Sequence, residues 1–412
     1  MVERKLYMDK INSFMNRDII KVITGIRRCG KSYFFKLIID ELIDGGVDEE
    51  NILLIDLELP EYNRIKLNTQ LDDIVLEYIN DHEGRAYLFF DEIQNVEDWE
   101  ISINSYFKLP NVEIFITGSN SKLLSSELST YLTGRYVSID MYPFSFIEFL
   151  DYKNELNEKP IIANELKSEI ENYFEEYRAY GGLPIVIALK NHKEIILDDL
   201  YSSILLHDIV ERHDIRNVGL FNRIVKFLIE NIGNLISAHS IYAYLKHELP
   251  GISKTTIYNY LDYLEEAYVL SKVTREDLIG KREITGSEKY YLMDLGFYKS
   301  QLEEKQQNTG HVLENIVYLE LLRQDYKVTI GKVNDSEIDF VCRKNNRKIY
   351  VQVCYLINED EDIIKREFKP LSKIKDNYPK YVLSMDKSDY SRDGIEHINI
   401  IQFLKNPDCL TN

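Results

Sequence analysis

The sequence predicts an α/β protein: a parallel sheet with helices on both faces, then a helical region with the outline of a winged helix, then a second α/β unit. Three observations predict it. Short apolar runs alternate with amphipathic segments through the first 140 residues. A glycine-bounded octapeptide joins the first run to the first amphipathic segment. Helical periodicity takes over from about residue 144, and strand-like runs return after about residue 310.

The runs DIIKVIT (18–24), NILLIDLE (51–58), AYLFFDEI (86–93) and VEIFITGS (112–119) each have the length and apolarity of a buried strand, and YVSIDMYPF is a weaker fifth. Segments between them, such as KSYFFKLIIDELI and LDDIVLEYI, carry helical spacing. Strands that alternate with helices imply parallel pairing, because parallel neighbours need a crossover that a helix supplies. Pro143, Pro160, Gly181, Gly182, Pro184, Pro250 and Gly251 punctuate the middle of the chain. There, SAHSIYAYLKHELPGISKTTIYNYLDYLEEAYVL reads as helix, turn and helix, followed by the strand-like LSKVTRE, which is the outline of a winged helix. After it come a helix (GHVLENIVYLELLRQ), three strand runs (YKVTI, EIDFVCR, KIYVQVCYL), a charged helix (EDIIKREFKPLSKIKD) and two final strands (KYVLSM, IEHINIIQF). The expected domains are 1–143, 144–300 and 301–412.

A chain of 412 residues exceeds one ordinary core. With 44% hydrophobic and 29% charged residues it has the composition of a globular protein, and no apolar stretch approaches ~20 residues, so no membrane span is expected. The N-terminal sequence carries no signal pattern, and a cytoplasmic location is the expectation. Cys29, Cys342, Cys354 and Cys409 lie far apart in no metal-ligand spacing and read as free thiols. The net charge of −19 argues against a protein devoted to coating nucleic acid, whose affinity comes mostly from phosphate contacts.

The octapeptide Gly25-Ile26-Arg27-Arg28-Cys29-Gly30-Lys31-Ser32, with Tyr33 next on the helix, fits the phosphate-binding loop G-x-x-x-x-G-K-S and sits between a strand and a helix as that motif requires. Its backbone N–H groups and helix N-terminus suit the phosphates of ATP, Lys31 suits the β/γ oxygens, and the Ser32 hydroxyl suits Mg²⁺. Sixty positions after Lys31, Asp91 and Glu92 end an apolar strand run. Asp91 is the expected second metal ligand and Glu92 the expected base for the attacking water. The next strand ends in Thr117-Gly118-Ser119-Asn120. There Asn120 reads as a γ-phosphate or water contact, and Ser119 or Asn120 equally as a helix N-cap. Arg135 reads either as an arginine finger, in cis or toward a second subunit, or as a surface arginine paired with an acid.

In order, GIRRCGKS, FFDEIQ, TGSNSKLLS, LTGRY, PFSFIEFL and YGGLP resemble the prokaryotic AAA-superfamily ATPases that carry a C-terminal domain of unknown function, and HDIVERHDI, YLMDLGF, GHVLENIVYLEL and EIDFV extend the resemblance over nearly the whole chain. It implies a RecA-like ATPase core, a winged-helix region and a C-terminal fold similar to PD-(D/E)xK nucleases, with no physiological substrate attached. Glu314, Asp339 and Gln352 fall where that nuclease-like fold would put metal ligands. The motif then departs, for Cys354 stands where a lysine is required, and Lys348 or Lys365 are the nearby substitutes. A noncatalytic terminal module is the expectation. In the winged helix the candidate recognition segment, SKTTIYNYLDYLEEAY, has Lys254 as its one basic residue against Asp262, Glu265 and Glu266. Its Tyr258, Tyr260 and Tyr263 accordingly read as core or protein interface before base stacking. The leading expectation is an AAA-like ATPase that hydrolyses Mg-ATP to change its domain arrangement and engage a protein or nucleic-acid partner, with homo-oligomerisation open. A nucleotide-gated binder with negligible turnover and an ATP-regulated nuclease are the alternatives.

Overall fold

The computed structural model describes residues 2–81, 84–121, 132, 134–156, 163–246, 252–302 and 308–410. The chain divides into two compact units: residues Met1–Tyr142 with Glu266–Tyr268, and residues Pro143–Glu265 with Val269–Asn412.

The first unit is built on strands β1 (Ile20–Thr24), β2 (Ile52–Asp56), β3 (Ala86–Asp91), β4 (Val112–Gly118) and β5 (Tyr136–Asp140). They pair in the order β2-β3-β4-β1-β5, every pair parallel. All five expected runs are strands. The weakest of them, β5, is an edge strand with alternate positions exposed, which explains its faint apolar signal. The inner strands are mostly apolar because both faces are covered, and the charges they do bury, Lys21 on β1 and Glu113 on β4, are paired with each other. Along β3, Phe89 faces one side, stacked on Phe115 with centroids 4.4 Å apart and meeting the edge of Phe35 at 5.1 Å. Leu88 and Phe90 belong to the core on the other side with Ile55, Ile116, Trp99 and Ile103. Phe35 comes from the helix Lys31–Asp44, whose buried Lys31, Phe34, Phe35, Ile38 and Leu42 keep one helical face against the sheet. Parallel pairing brings all strand C-termini to one edge: Thr24 is in register with Gly118 and Asp140, and Asp56 with Asp91.

The second unit begins with helices Phe146–Leu156 and Ala163–Tyr180. Phe146, Phe174 and Tyr177 form an aromatic core there. Here YGGLP meets YLMDLGF: the Asp294 carboxylate accepts the Gly182 N–H at 2.7 Å. Gly181 stands at φ 73°, and a Cβ on it would lie 2.1 Å from Asp294 Oδ1, so only glycine fits. Strands β6 (Leu235–Ile236), β7 (Leu270–Asp277), β8 (Arg282–Leu292), β9 (Lys327–Val333), β10 (Ser336–Lys344), β11 (Arg347–Val353), β12 (Lys380–Ser384) and β13 (Glu396–Asn399) form one sheet ordered β13-β12-β11-β10-β9-β7-β8-β6. The boundary expected at residue 300 therefore falls inside this unit, because β7 pairs with β9 across it.

One local reading changes, and two segments gain a structure that the sequence left open. IEHINIIQF divides: after β13, residues Ile400–Lys405 are helical, since the Asn399 side chain accepts the Ile401 and Gln402 N–H groups and caps a helix. HDIVERHDI lies mostly in a π-helical stretch, Ile204–Glu211. β8 has no counterpart among the expected strands, because its first half is mostly charged or polar and largely exposed, with only its last four residues buried. Among the described residues, no helix is long and apolar enough to cross a membrane.

Candidate nucleotide site

β1 ends at Thr24, and the loop that follows turns through three positive φ angles, at Gly25 (150°), Arg28 (67°) and Gly30 (104°), before the helix opens at Lys31. Successive residues in such a conformation turn their N–H groups toward one concavity, at the positive end of the following helix. Ile26 and Cys29 are buried beneath the loop, and burial pushes the Cys29 thiol up, so it packs as an apolar group. Arg28 and Ser32 are exposed, and Tyr33 is half-buried. Arg27 pairs with Glu58 at 2.8 Å.

Lys31 is 4% exposed. Its ammonium donates to the Gly25 and Ile26 carbonyls at 3.1 and 3.4 Å and lies 3.2 Å from Glu92 Oε1. Burial alone would lower its pKa, but Glu92, with smaller contributions from Cys29 and Asp91, holds it above the ordinary lysine value. Burial would likewise raise the Glu92 carboxyl, yet Lys31, Gln94 and Ser119 together hold it below the usual range, so it is ionised. Glu92 adopts φ 53°, a left-handed conformation uncommon outside glycine that aims its carboxylate from the strand end.

Asp91 is anchored from two sides. The Thr117 hydroxyl donates to Asp91 Oδ1 and accepts the Glu92 N–H at 2.9 Å. Ser32 lies near enough to the Asp91 carboxyl to favour its ionised form. Burial pushes the Asp91 carboxyl up to about 6, against the opposing effects of Ser32 and Thr117. A buried carboxylate beside a hydroxyl is a hard-oxygen pair of the kind Mg²⁺ takes, so this donor set fits the metal.

Gln94 and Thr117 hold neighbouring side chains in ways that residue type alone does not announce. The Gln94 amide donates to Glu92 and, at 3.3 Å, to Ser119, fixing the Glu92 carboxylate to the residue that follows β4. Asn120 donates from Nδ2 to Glu266 Oε1 at 2.8 Å, a partner 146 positions away with no motif around it. Arg135 is not brought to the loop. It precedes β5, whose first residue pairs with Ile20, so it stands at the opposite edge of the sheet, roughly 16 Å along the strand from the phosphate-loop end. That position sets aside the cis arginine finger. The side chain is exposed, donates to Asn104 at 3.0 Å and lies over the Phe107 ring, so the expected acid partner is an amide and an aromatic face.

In the second unit Glu314, Asp339 and Gln352 do converge, all buried. Gln352 Nε2 donates to Glu367 at 3.0 Å, and Asp339 Oδ2 accepts the Val353 N–H at 2.9 Å. Lys348 and Lys365 are not there: Lys348 lies 3.7 Å from Asp376, and Lys365 pairs with Glu361. The ammonium of the cluster is Lys289, from the unread β8, at 2.7 Å from Glu314, 2.8 Å from Glu337 and 3.7 Å from Asp339. Cys354 is buried and its thiol pushed up by burial. In the helix Lys254–Glu266, Tyr260 meets the edge of Phe221 and Tyr263 stacks on His213 at 3.7 Å, while Tyr258 is exposed.

Residues 17–150 match the model of an AAA domain, and residues 171–308 match a domain of unknown function. An uncharacterized protein of Haemophilus influenzae is 36% identical over 98% of this chain and 98% of its own length. One of Methanocaldococcus jannaschii is 34% identical over 94% of this chain and 87% of its own. Among solved structures, the ADP form of the Aeropyrum pernix ORC2 protein is 11% identical, over 79% of this chain and 93% of that one, with a TM-score of 0.36.

Proposed function

The chain belongs to the family of these Haemophilus and Methanocaldococcus proteins and opens with an AAA domain, and from that premise we propose that it is a Mg-ATP hydrolase whose nucleotide state controls engagement of a partner. The observation that carries this reading is the convergence, at one sheet edge, of Lys31, Ser32, Asp91 and Glu92. The loop N–H groups receive the phosphates, and Lys31 swings from Glu92 to the β/γ oxygens. Glu92, relieved of its ammonium, becomes the stronger proton acceptor and takes the proton of the attacking water. Ser32 and Asp91 would hold Mg²⁺, which when bound neutralises phosphate charge. A steady-state phosphate-release assay tests the reading: metal-dependent turnover supports it, whereas ATP binding with negligible release assigns the protein to nucleotide-gated binding.

Arg135 fits a role in trans, as an exposed arginine remote from its own loop. Specific activity should then rise with protein concentration, and mixing Arg135→Ala with Lys31→Ala protein should restore part of the lost hydrolysis. Concentration-independent turnover without rescue would leave Arg135 as a brace on Asn104 and Phe107.

Elements β6–β8 with the helices Ala238–Leu245 and Lys254–Glu266 read as a winged helix. Tyr260 and Tyr263 are spent on packing and the helix is acidic toward its end, which favours a protein partner over DNA.

The terminal cluster reads as noncatalytic. Lys289 supplies the ammonium that Cys354 lacks, which is the observation favouring a nuclease. It is also tied to Glu314 and Glu337 at once, in ion pairs that a metal would have to break. Purified protein should leave DNA and RNA uncut with Mg²⁺ or Mn²⁺, with or without ATP. Nicking lost on Asp339→Ala but kept on Lys31→Ala would reverse this assignment. Cys354→Lys is the companion variant, in which latent geometry would show as metal-dependent nicking absent from the wild type.

A further inference from the structure

Asn120 follows β4 by two residues and lies beside Ser119, which Gln94 links to Glu92, so it stands at the edge where the nucleotide groups converge. An asparagine amide presents a donor on one side and an acceptor on the other, and which side faces the site depends on what the other side meets. Here the Nδ2 side meets Glu266 Oε1 at 2.8 Å. A carboxylate oxygen accepts, so it discriminates between the two amide orientations as an amide partner, which can donate or accept, cannot. Glu266 is 5% exposed, and water therefore competes little for that bond.

The neighbouring residues reinforce this placement. Tyr268 turns through φ 54° and donates its hydroxyl to Asp140 Oδ1 at 3.1 Å. The same oxygen accepts the Thr24 hydroxyl at 2.8 Å. Thr24 is the last residue before the phosphate loop. The tripeptide Glu266-Ala267-Tyr268 thus grips the chain beyond β4 on one side of β1 and the end of β5 on the other.

We propose that Glu266 is a positioning residue for ATP hydrolysis, acting by fixing which side of the Asn120 amide faces the reacting phosphate and its water. The inference rests on the hydrolase reading above and adds to it a residue 146 positions from Asn120.

The test compares wild type, Glu266→Gln, Asn120→Ala and the double variant in phosphate release, with ATP affinity measured by calorimetry on each. Glu266→Gln is nearly isosteric and should leave the ATP Kd within about twofold. It should lower kcat on the order of tenfold, the size of one charge-assisted hydrogen bond. Asn120→Ala should lower kcat at least as much, and the double variant should fall no further than Asn120→Ala alone. Glu266→Asp, which remains an acceptor-only side chain, should recover part of the loss. It also serves as the second variant if Glu266→Gln does not fold. Losses that multiply in the double variant, or a Glu266→Gln protein as active as wild type, would overturn the inference while leaving the hydrolase reading intact. A wild type that binds ATP without releasing phosphate would instead overturn that reading, and this inference with it.

Discussion

Lys31→Ala is expected to abolish tight ATP binding. The Lys31 ammonium is buried, and its partners are two loop carbonyls and one carboxylate. The phosphates of ATP replace those partners with ones that carry more negative charge, and the buried Lys31 meets them with little competition from water. Truncating one member of a buried charge pair costs about 2–5 kcal/mol, much of it from leaving the other charge without a counter-ion. At 25 °C that is a rise of roughly 30- to 5,000-fold in Kd. The variant suffers twice, because Glu92, only 12% exposed at its side chain, then faces the incoming phosphates with no cation between them. Titration calorimetry with ATP and Mg²⁺ checks the outcome. Equal binding by wild type and Lys31→Ala would mean that the nucleotide does not sit on this loop.

Glu92→Gln is expected to separate binding from turnover. The amide keeps the size of the carboxylate and can still face Lys31 with its oxygen, so ATP affinity should survive. It cannot accept the proton of the attacking water, and loss of a positioned base lowers the rate by about 10²-fold or more. The left-handed backbone at residue 92 and the Thr117 hydroxyl that accepts its N–H do not depend on the side chain, so the variant tests chemistry more than architecture. Single-turnover phosphate release measures the step directly. A variant that turns over like wild type would move the base to another group. Glu92→Gln protein with ATP bound is also the form with which to capture the partner, since it should dwell in the nucleotide-loaded state.

The inner strands of the first unit were legible because burial on both faces favours near-continuous apolar runs, and their alternation with helical segments points to a parallel sheet with covering helices. The strand β8 was not. Its residues Arg282–Lys289 are mostly charged or small, and their place is set by pairing with β7, which no local pattern records. The consequence reached function: Lys289, the ammonium of the terminal cluster, lay in that unread strand, while Lys348 and Lys365, nearer along the chain to Cys354, face elsewhere.

The sequence by itself determined the phosphate loop and the acids of the neighbouring strand. Gly25 through Ser32 make a local structure whose spacing and backbone freedom are written in consecutive residues, and Asp91-Glu92 are marked by the apolar run that they terminate. Tertiary structure alone decided what those groups touch. Thr117 on Asp91, Gln94 between Glu92 and Ser119, Glu266 on Asn120, and Arg135 at the far edge follow from the strand order β2-β3-β4-β1-β5 and from the return of Glu266–Tyr268 to the first unit. The physical reason is that a phosphate loop is specified by short-range backbone geometry, whereas the orientation of a side chain at a strand end is set by whichever long-range neighbour offers the complementary hydrogen-bonding group.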